Sequence, residues 1–236
     1  MHIEDNRFRT ILGITLLAAG AVWIAHSALH NGKNNHNSID SANAETRGDG
    51  NIVSTTRPID DVKAIDLDGC YETVIHVGGA PHLSITAEDN ILPLVTTDID
   101  DGVLEVSSED FRTDHTPKLE ITVPSLESLK FEVSTVKITG LDSDRFELHI
   151  DGAGAVTASG RTGNADIKVD GAAHLDLTGL VVGNMKLRIE GAGHAEVTAK
   201  ESLDARIEGA GYVGYHGDPK SVKKEIEGFG TIEQAS

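Results

Sequence analysis

This sequence predicts an all-β fold in which coils of roughly 19 residues stack on one another, and three observations carry that expectation. From Asn51 onward the chain is written in short runs that alternate apolar and polar residues, such as "AIDLDG", "YETVIHVG", "LSITAE", "VLEVSS" and "LEITV". Period-two alternation bounded by Gly, Asp, Asn or Pro is the mark of half-buried strands. A phrase built on an acid and glycine then recurs five times: "ELHIDGAGAVTA", "DIKVDGAAHLDLTG", "KLRIEGAGHAEVTA", "DARIEGAGYVGY" and "KKEIEGFGTI". Aromatic residues are scarce at 4% while glycine numbers 25, so the core must be closed by small and β-branched side chains.

The elements follow in order along the 236 residues. Residues 1–9 form a polar leader with Arg7 and Arg9. Residues 10–29 contain the uncharged run "ILGITLLAAGAVWIA" and predict a membrane anchor or signal segment, with Trp23 at the outer interface. The arginines precede the run, which orients the rest of the chain out of the cytoplasm. Glu4, Asp5 and the length of the run favour a retained anchor, and Ala25–Ser27 offers a small-x-small cleavage site for the alternative. Residues 30–50 hold almost no large apolar group and predict a flexible tether, with His30 and His36 solvated. Residues 51–125 predict an N-terminal β part, with "DIDDG" at Asp98–Gly102 as a tight hairpin turn. Residues 126–236 predict a glycine-rich repeat that winds as a β-solenoid.

The repeat is regular enough to argue from. Its central acids are Asp151, Asp170, Glu190, Glu208 and Glu227, at intervals of 19, 20, 18 and 19 residues. Each is preceded by an apolar β-branched residue: Ile150, Val169, Ile189, Ile207 and Ile226. Leu148, Ile167, Leu187, Ala205 and Lys224 make a second column, and Val156, Leu175, Ala195, Val213 and Ile232 a third. His149, Lys168, Arg188, Arg206 and Glu225 point outward between them. A single rung cannot bury its own apolar face, whereas rungs stacked ~4.8 Å apart cover one another. Lys224 and Phe229 break the pattern at the last rung, as expected of a terminal coil, and "FEVSTVKITG" from Phe131 is a degenerate first one. A hairpin meander is the alternative, because Asp-Gly is also a hairpin signal, but it demands no constant period.

The segment "AIDLDGCYETVIHVGGAPHLSITAEDNILPLVTTDIDDGVLEVSS", followed by "LEITVPSLESLKF" and the (D/E)-G-A-G phrases, resembles the exported bacterial family named "putative auto-transporter adhesin head GIN domain". The resemblance spans roughly residues 51–236. It implies an all-β, solenoid-like exported domain and carries no active-site motif.

Candidate sites come from the columns. Five carboxylates stacked ~4.8 Å apart repel by ~0.9 kcal/mol per neighbouring pair even in water. Hydrogen bonds from the N–H groups of each glycine turn would offset this, as would Ca²⁺ along Asp151, Asp170, Glu190, Glu208 and Glu227. The acid precedes the glycines, unlike the nonapeptide calcium-roll repeat. His174 and His194 share one repeat position, either as a metal-ligand pair or as exposed stacked rings. Lys168, Arg188 and Arg206 beside the acids make the candidate partner-binding face. Cys70 is the one thiol, a small buried hydrophobe or an intermolecular bridge.

The formal charge of −18 excludes nucleic acid as a partner and disfavours an anionic bilayer surface. Gly-x-Ser-x-Gly, HExxH and phosphate-loop motifs are absent from the sequence. The expected function is a non-catalytic envelope module, without a required cofactor, that presents a repetitive β face to an envelope protein or glycan. The alternative is a β-helical enzyme acting on acidic polysaccharides.

Overall fold

The computed structural model describes residues 46–235. The expected leader 1–9, the anchor or signal segment 10–29 and the tether up to residue 45 lie outside the described residues. No helix among the described residues is long and apolar enough to cross a membrane.

The described chain is all-β. In order its strands are β1 (Thr46–Arg47), β2 (Ile52–Arg57), β3 (Ala64–Val77), β4 (His82–Glu88), β5 (Val95–Asp100), β6 (Val103–Ser108), β7 (Phe111–Arg112), β8 (Lys118–Val123), β9 (Ser128–His216) and β10 (Ser221–Gln234). A single 3₁₀ turn, Leu92–Leu94, precedes β5. The main sheet runs β10-β9-β3-β8-β4-β2, with β6 also on β3 and β5 on β6. It does not close into a barrel among the described residues.

β3 organises the N-terminal part. Its first arm pairs in parallel with β6, its second arm in parallel with β8, and its other edge lies in parallel on β9. The register shifts between Leu67 and Cys70, where Gly69 takes φ +143°. The Tyr71 ring fills this corner and would stand 2.9 Å from a Cβ at Gly69. Asp68-Gly69 is thus one more acid-glycine corner, upstream of the five seen in the repeat. The expected boundary at 125/126 is no break in packing: one hydrophobic core runs from Ile59 to Ile232.

β9 is 89 residues of extended backbone. Drawn straight, that length would reach ~290 Å at ~3.3 Å per residue. Instead it turns at glycines and returns upon itself. A Cβ at Gly171 would meet Gly152 O at 2.0 Å, one at Gly191 would meet Gly171 O at 2.2 Å, and one at Gly209 would meet Gly191 O at 2.2 Å. These corners therefore touch backbone to backbone, one period apart. β10 pairs in parallel with the end of β9, Ile226 on Ile207, Glu227 on Glu208, Gly228 on Gly209 and Ile232 on Val213. Asp-Gly makes a parallel corner here. It makes an antiparallel hairpin only at Asp101-Gly102, where both residues have positive φ, 47° and 78°, between β5 and β6.

The apolar columns are buried. Ile150, Val169, Ile189 and Ile207 are 0–1% exposed, whereas Ile226 in the last coil is 41% exposed. Phe131, Phe146 and Tyr71 are the bulky aromatics that close the interior. Burial pushes the Tyr71 hydroxyl up to about 12.

Residues 46–50, expected as the end of the tether, are held against the sheet. β1 pairs with β7, and Gly48 N–H donates to Arg112 O at 2.8 Å. The buried Glu88 accepts the Gly50 N–H at 2.8 Å and the Thr113 hydroxyl. Backbone hydrogen bonds, the Glu88 carboxylate and the Asn90 side-chain amide, which accepts from Asp49 N–H and donates to Arg47 O, order this segment rather than apolar burial, which is why its composition gave no sign of it.

Candidate functional site

Every outward position of the repeats adds one side chain to a ladder, and the ladders are the candidate sites. The acid ladder does not rely on its own glycine turns. Among the described residues none of the five acids accepts a hydrogen bond from a glycine N–H of its corner. The neighbouring basic column holds three of them instead, Asp170, Glu208 and Glu227. Lys168 Nζ donates to Asp170 Oδ2 at 2.6 Å, and His149 Nε2, one rung earlier, lies 3.0 Å from the same oxygen. The Lys168 hydrogen bond holds the Asp170 carboxyl below its ordinary value. Arg188 Nη1 reaches Asp166 Oδ1 at 3.0 Å. Arg206 Nη2 donates to Glu227 Oε1 at 2.8 Å, while Nη1 lies 3.5 Å from Glu225. Arg206 Nε stands 2.6 Å from Glu208 Oε1, as a charge contact too poorly angled to count as a hydrogen bond.

Protein cations thus offset the repulsion at Asp170, Glu208 and Glu227. Asp151 and Glu190 are exposed and act through space, on Lys130 and Lys168 respectively. The expectation that turn N–H groups neutralise the column is corrected here, because the corner directs the carboxylate sideways toward the next column. Ion pairs between rungs recur along the surface: Arg161–Asp142 at 2.7 Å, Lys220–Glu201 at 2.5 Å and Lys223–Asp204 at 3.4 Å, each 19 residues apart.

The second ladder is aromatic. The His174 and His194 rings stack with centroids 5.1 Å apart and planes 14° apart, and Tyr212 continues the stack at 5.0 Å and 14°. Burial, and then the neighbouring His194, lower the pKa of His174. Glu196 lies beside this stack. Its Oε2 is 3.1 Å from His216 Nε2 and its Oε1 is 3.8 Å from His194 Nε2. No group of three or more His, Cys, Asp or Glu side chains among the described residues is arranged to hold a metal ion. The two expected metal-candidate histidines are therefore brought together, but as ring-on-ring neighbours.

A depression of about 470 Å³ was not visible in the sequence. It lies on the outer face of β3, β4, β8 and β9, lined by Glu72, Ser84, Thr86, Lys118, Glu120 and Lys137. Lys118 pairs with Glu72 at 2.9 Å. These residues come from four separate stretches, so only the strand order unites them. Cys70 is free and half-buried, and burial raises its thiol pKa.

The family model described as "putative auto-transporter adhesin, head GIN domain" matches residues 61–219. The chain belongs to this family. The GIN match takes in both ladders up to Glu208 and leaves β10 outside. The fold is shared with solved structures. A putative adhesin from Bacteroides fragilis NCTC 9343 is 21% identical with TM-score 0.67, over 80% of this chain and 99% of that one. A putative adhesin from Parabacteroides distasonis ATCC 8503 is 20% identical with TM-score 0.52, over 81% and 100%. A putative lipid binding protein from the same strain is 21% identical with TM-score 0.50, over 81% and 100%. At these identities the likeness is one of fold. No curated protein matches the chain.

Proposed function

We propose that this GIN-family chain is a non-catalytic, exported adhesin-like module whose residues 126–236 wind as a β-solenoid and present a mixed-charge ladder to an envelope protein or glycan. Lys168, Arg188 and Arg206 are the residues that meet the partner, with Asp170, Glu208 and Glu227 fixing their positions. The observation that carries this reading is the contact of successive glycine corners one period apart, with like residues paired between the last two coils. Repetition of that kind produces a regular spacing of charges, which suits a repeating ligand. Residues 10–29 tether the module to the membrane that it has crossed. Membership of the family and the names borne by the structural neighbours support the adhesin-like reading.

Ladder carboxylates fit recognition better than turnover. A general acid needs a raised pKa, whereas Asp170 and Asp142 are both lowered, by hydrogen bonds from Lys168 and Arg161. The test is a glycan array together with binding to purified envelope fractions, using the full chain and a variant with Lys168→Glu, Arg188→Glu and Arg206→Glu. The reading expects binding that the triple variant loses. Binding that survives the charge reversal removes this face from consideration, and turnover of an acidic polysaccharide removes the non-catalytic reading.

A further inference from the structure

We propose that β10 is a homodimerisation edge, on which a second copy of this chain docks antiparallel about a two-fold axis through Gly228. Among the described residues β10 pairs with β9 alone, so its other edge presents the unpaired backbone groups of a 14-residue strand. Apolar exposure concentrates there. Phe229 is 85% exposed, Ile226 41% and Val222 37%. Ile226 occupies the same column as Ile207, which is fully buried, so a covering coil is all that separates the two environments.

The strand is self-complementary in charge. In an antiparallel pair, residues directly opposite point to the same face, so a two-fold axis must pass through a residue to keep inward positions facing inward. An axis through Glu225 or Glu227 sets that acid against itself. One through Ile226 sets Glu225 against Glu227, and one through Phe229 sets Glu225 against Glu233. With the axis through Gly228, no like charges stand opposite. Lys223 then faces Glu233 twice, Glu225 faces Thr231, Glu227 faces Phe229, and the inward Lys224 and Ile226 face Ile232 and Gly230. Gly228 is also the corner of the coil, at φ +127°, so the two arms of one bent strand exchange places with those of the other. An edge of this kind is a template for strand addition, and closed two-fold pairing satisfies it without open-ended assembly.

This inference is independent of the ligand face, and each can fail without the other. The test is sedimentation of the full chain in a non-denaturing detergent at concentrations up to about 100 µM. A reversible dimer is expected. Lys223→Glu is expected to weaken it about tenfold, because acids then face Glu233 at both ends, and adding Glu233→Lys to that variant is expected to restore it. Restoration distinguishes pairing from misfolding, since Lys223→Glu also removes the contact to Asp204. A chain that stays monomeric overturns the proposal, as does a dimer indifferent to Lys223→Glu. Exchange protection, in a monomer, of those β10 amides that face away from β9 also overturns it, because it means that the chain covers its own edge.

Discussion

Arg206 Nη2 donates to Glu227 Oε1 at 2.8 Å, tying β9 to β10 across 21 residues of sequence. The same guanidinium contacts Glu208 on its own rung and Glu225 on the next. With Lys223, which pairs with Asp204 at 3.4 Å, it is a side-chain clasp between β10 and β9. Arg206→Ala is expected to leave the core intact and to speed amide exchange across Ser221–Glu227, measured by hydrogen–deuterium exchange. Unchanged exchange in β10 would mean that the backbone pairing and the Lys223–Asp204 contact hold the coil without Arg206.

The apolar column makes a position-dependent prediction. Ile189 is 1% exposed and Ile226 is 41% exposed. Ile189→Ala is expected to cost about 2–5 kcal/mol in denaturant unfolding, from lost transfer energy and the cavity left behind. Ile226→Ala in the monomer is expected to cost under about 1 kcal/mol, since that side chain never leaves water completely. Equal costs at the two sites would deny that the coils shelter one another.

Gly191 tests the corner. It has φ +125°, and a Cβ there would lie 2.2 Å from Gly171 O. Gly191→Ala combines a strained backbone with a backbone clash that no side-chain motion relieves, so a loss of roughly 2–4 kcal/mol is expected by thermal or chemical denaturation. A neutral result would place the corners farther apart than the contact requires.

His174 supplies a pH dependence. Its pKa is lowered from the ordinary 6.5, chiefly by burial and then by His194, while Asp176 and Glu196 oppose the shift. The unfolded chain therefore takes up this proton first as pH falls. Stability is undiminished by this group above the unfolded value, declines as pH drops through the window between the unfolded and the lower folded value, and falls no further below that window. His174→Asn is expected to flatten the fall in stability as pH drops through and below the ordinary histidine value, measured by urea unfolding. An unchanged slope would mean that His174 does not carry it.

Much of the arrangement was legible because contacts made one period apart are written in the sequence as a repeat. Ile150, Val169, Ile189 and Ile207 could be aligned on paper, and they are buried together. So could His174 and His194, whose rings meet. The partners of the acids were not legible. Turn N–H groups and the adjacent basic column are equally close in sequence to Asp170, and the direction in which the corner aims the carboxylate decides between them. The ordering of residues 46–50 was hidden as well, because Glu88 and β7, which hold them, lie far along the chain.

By itself, then, the sequence determined strand character, the period, the inward and outward faces, and family membership. These depend on local alternation and on recurrence, which a linear text records in full. Only the tertiary structure decided that β3 and its Gly69 corner join the same core, that six residues from four stretches line one depression, and that β10 is left as an edge among the described residues. Each of those follows from which strands become neighbours. That is settled by the joint packing of segments far apart in the chain.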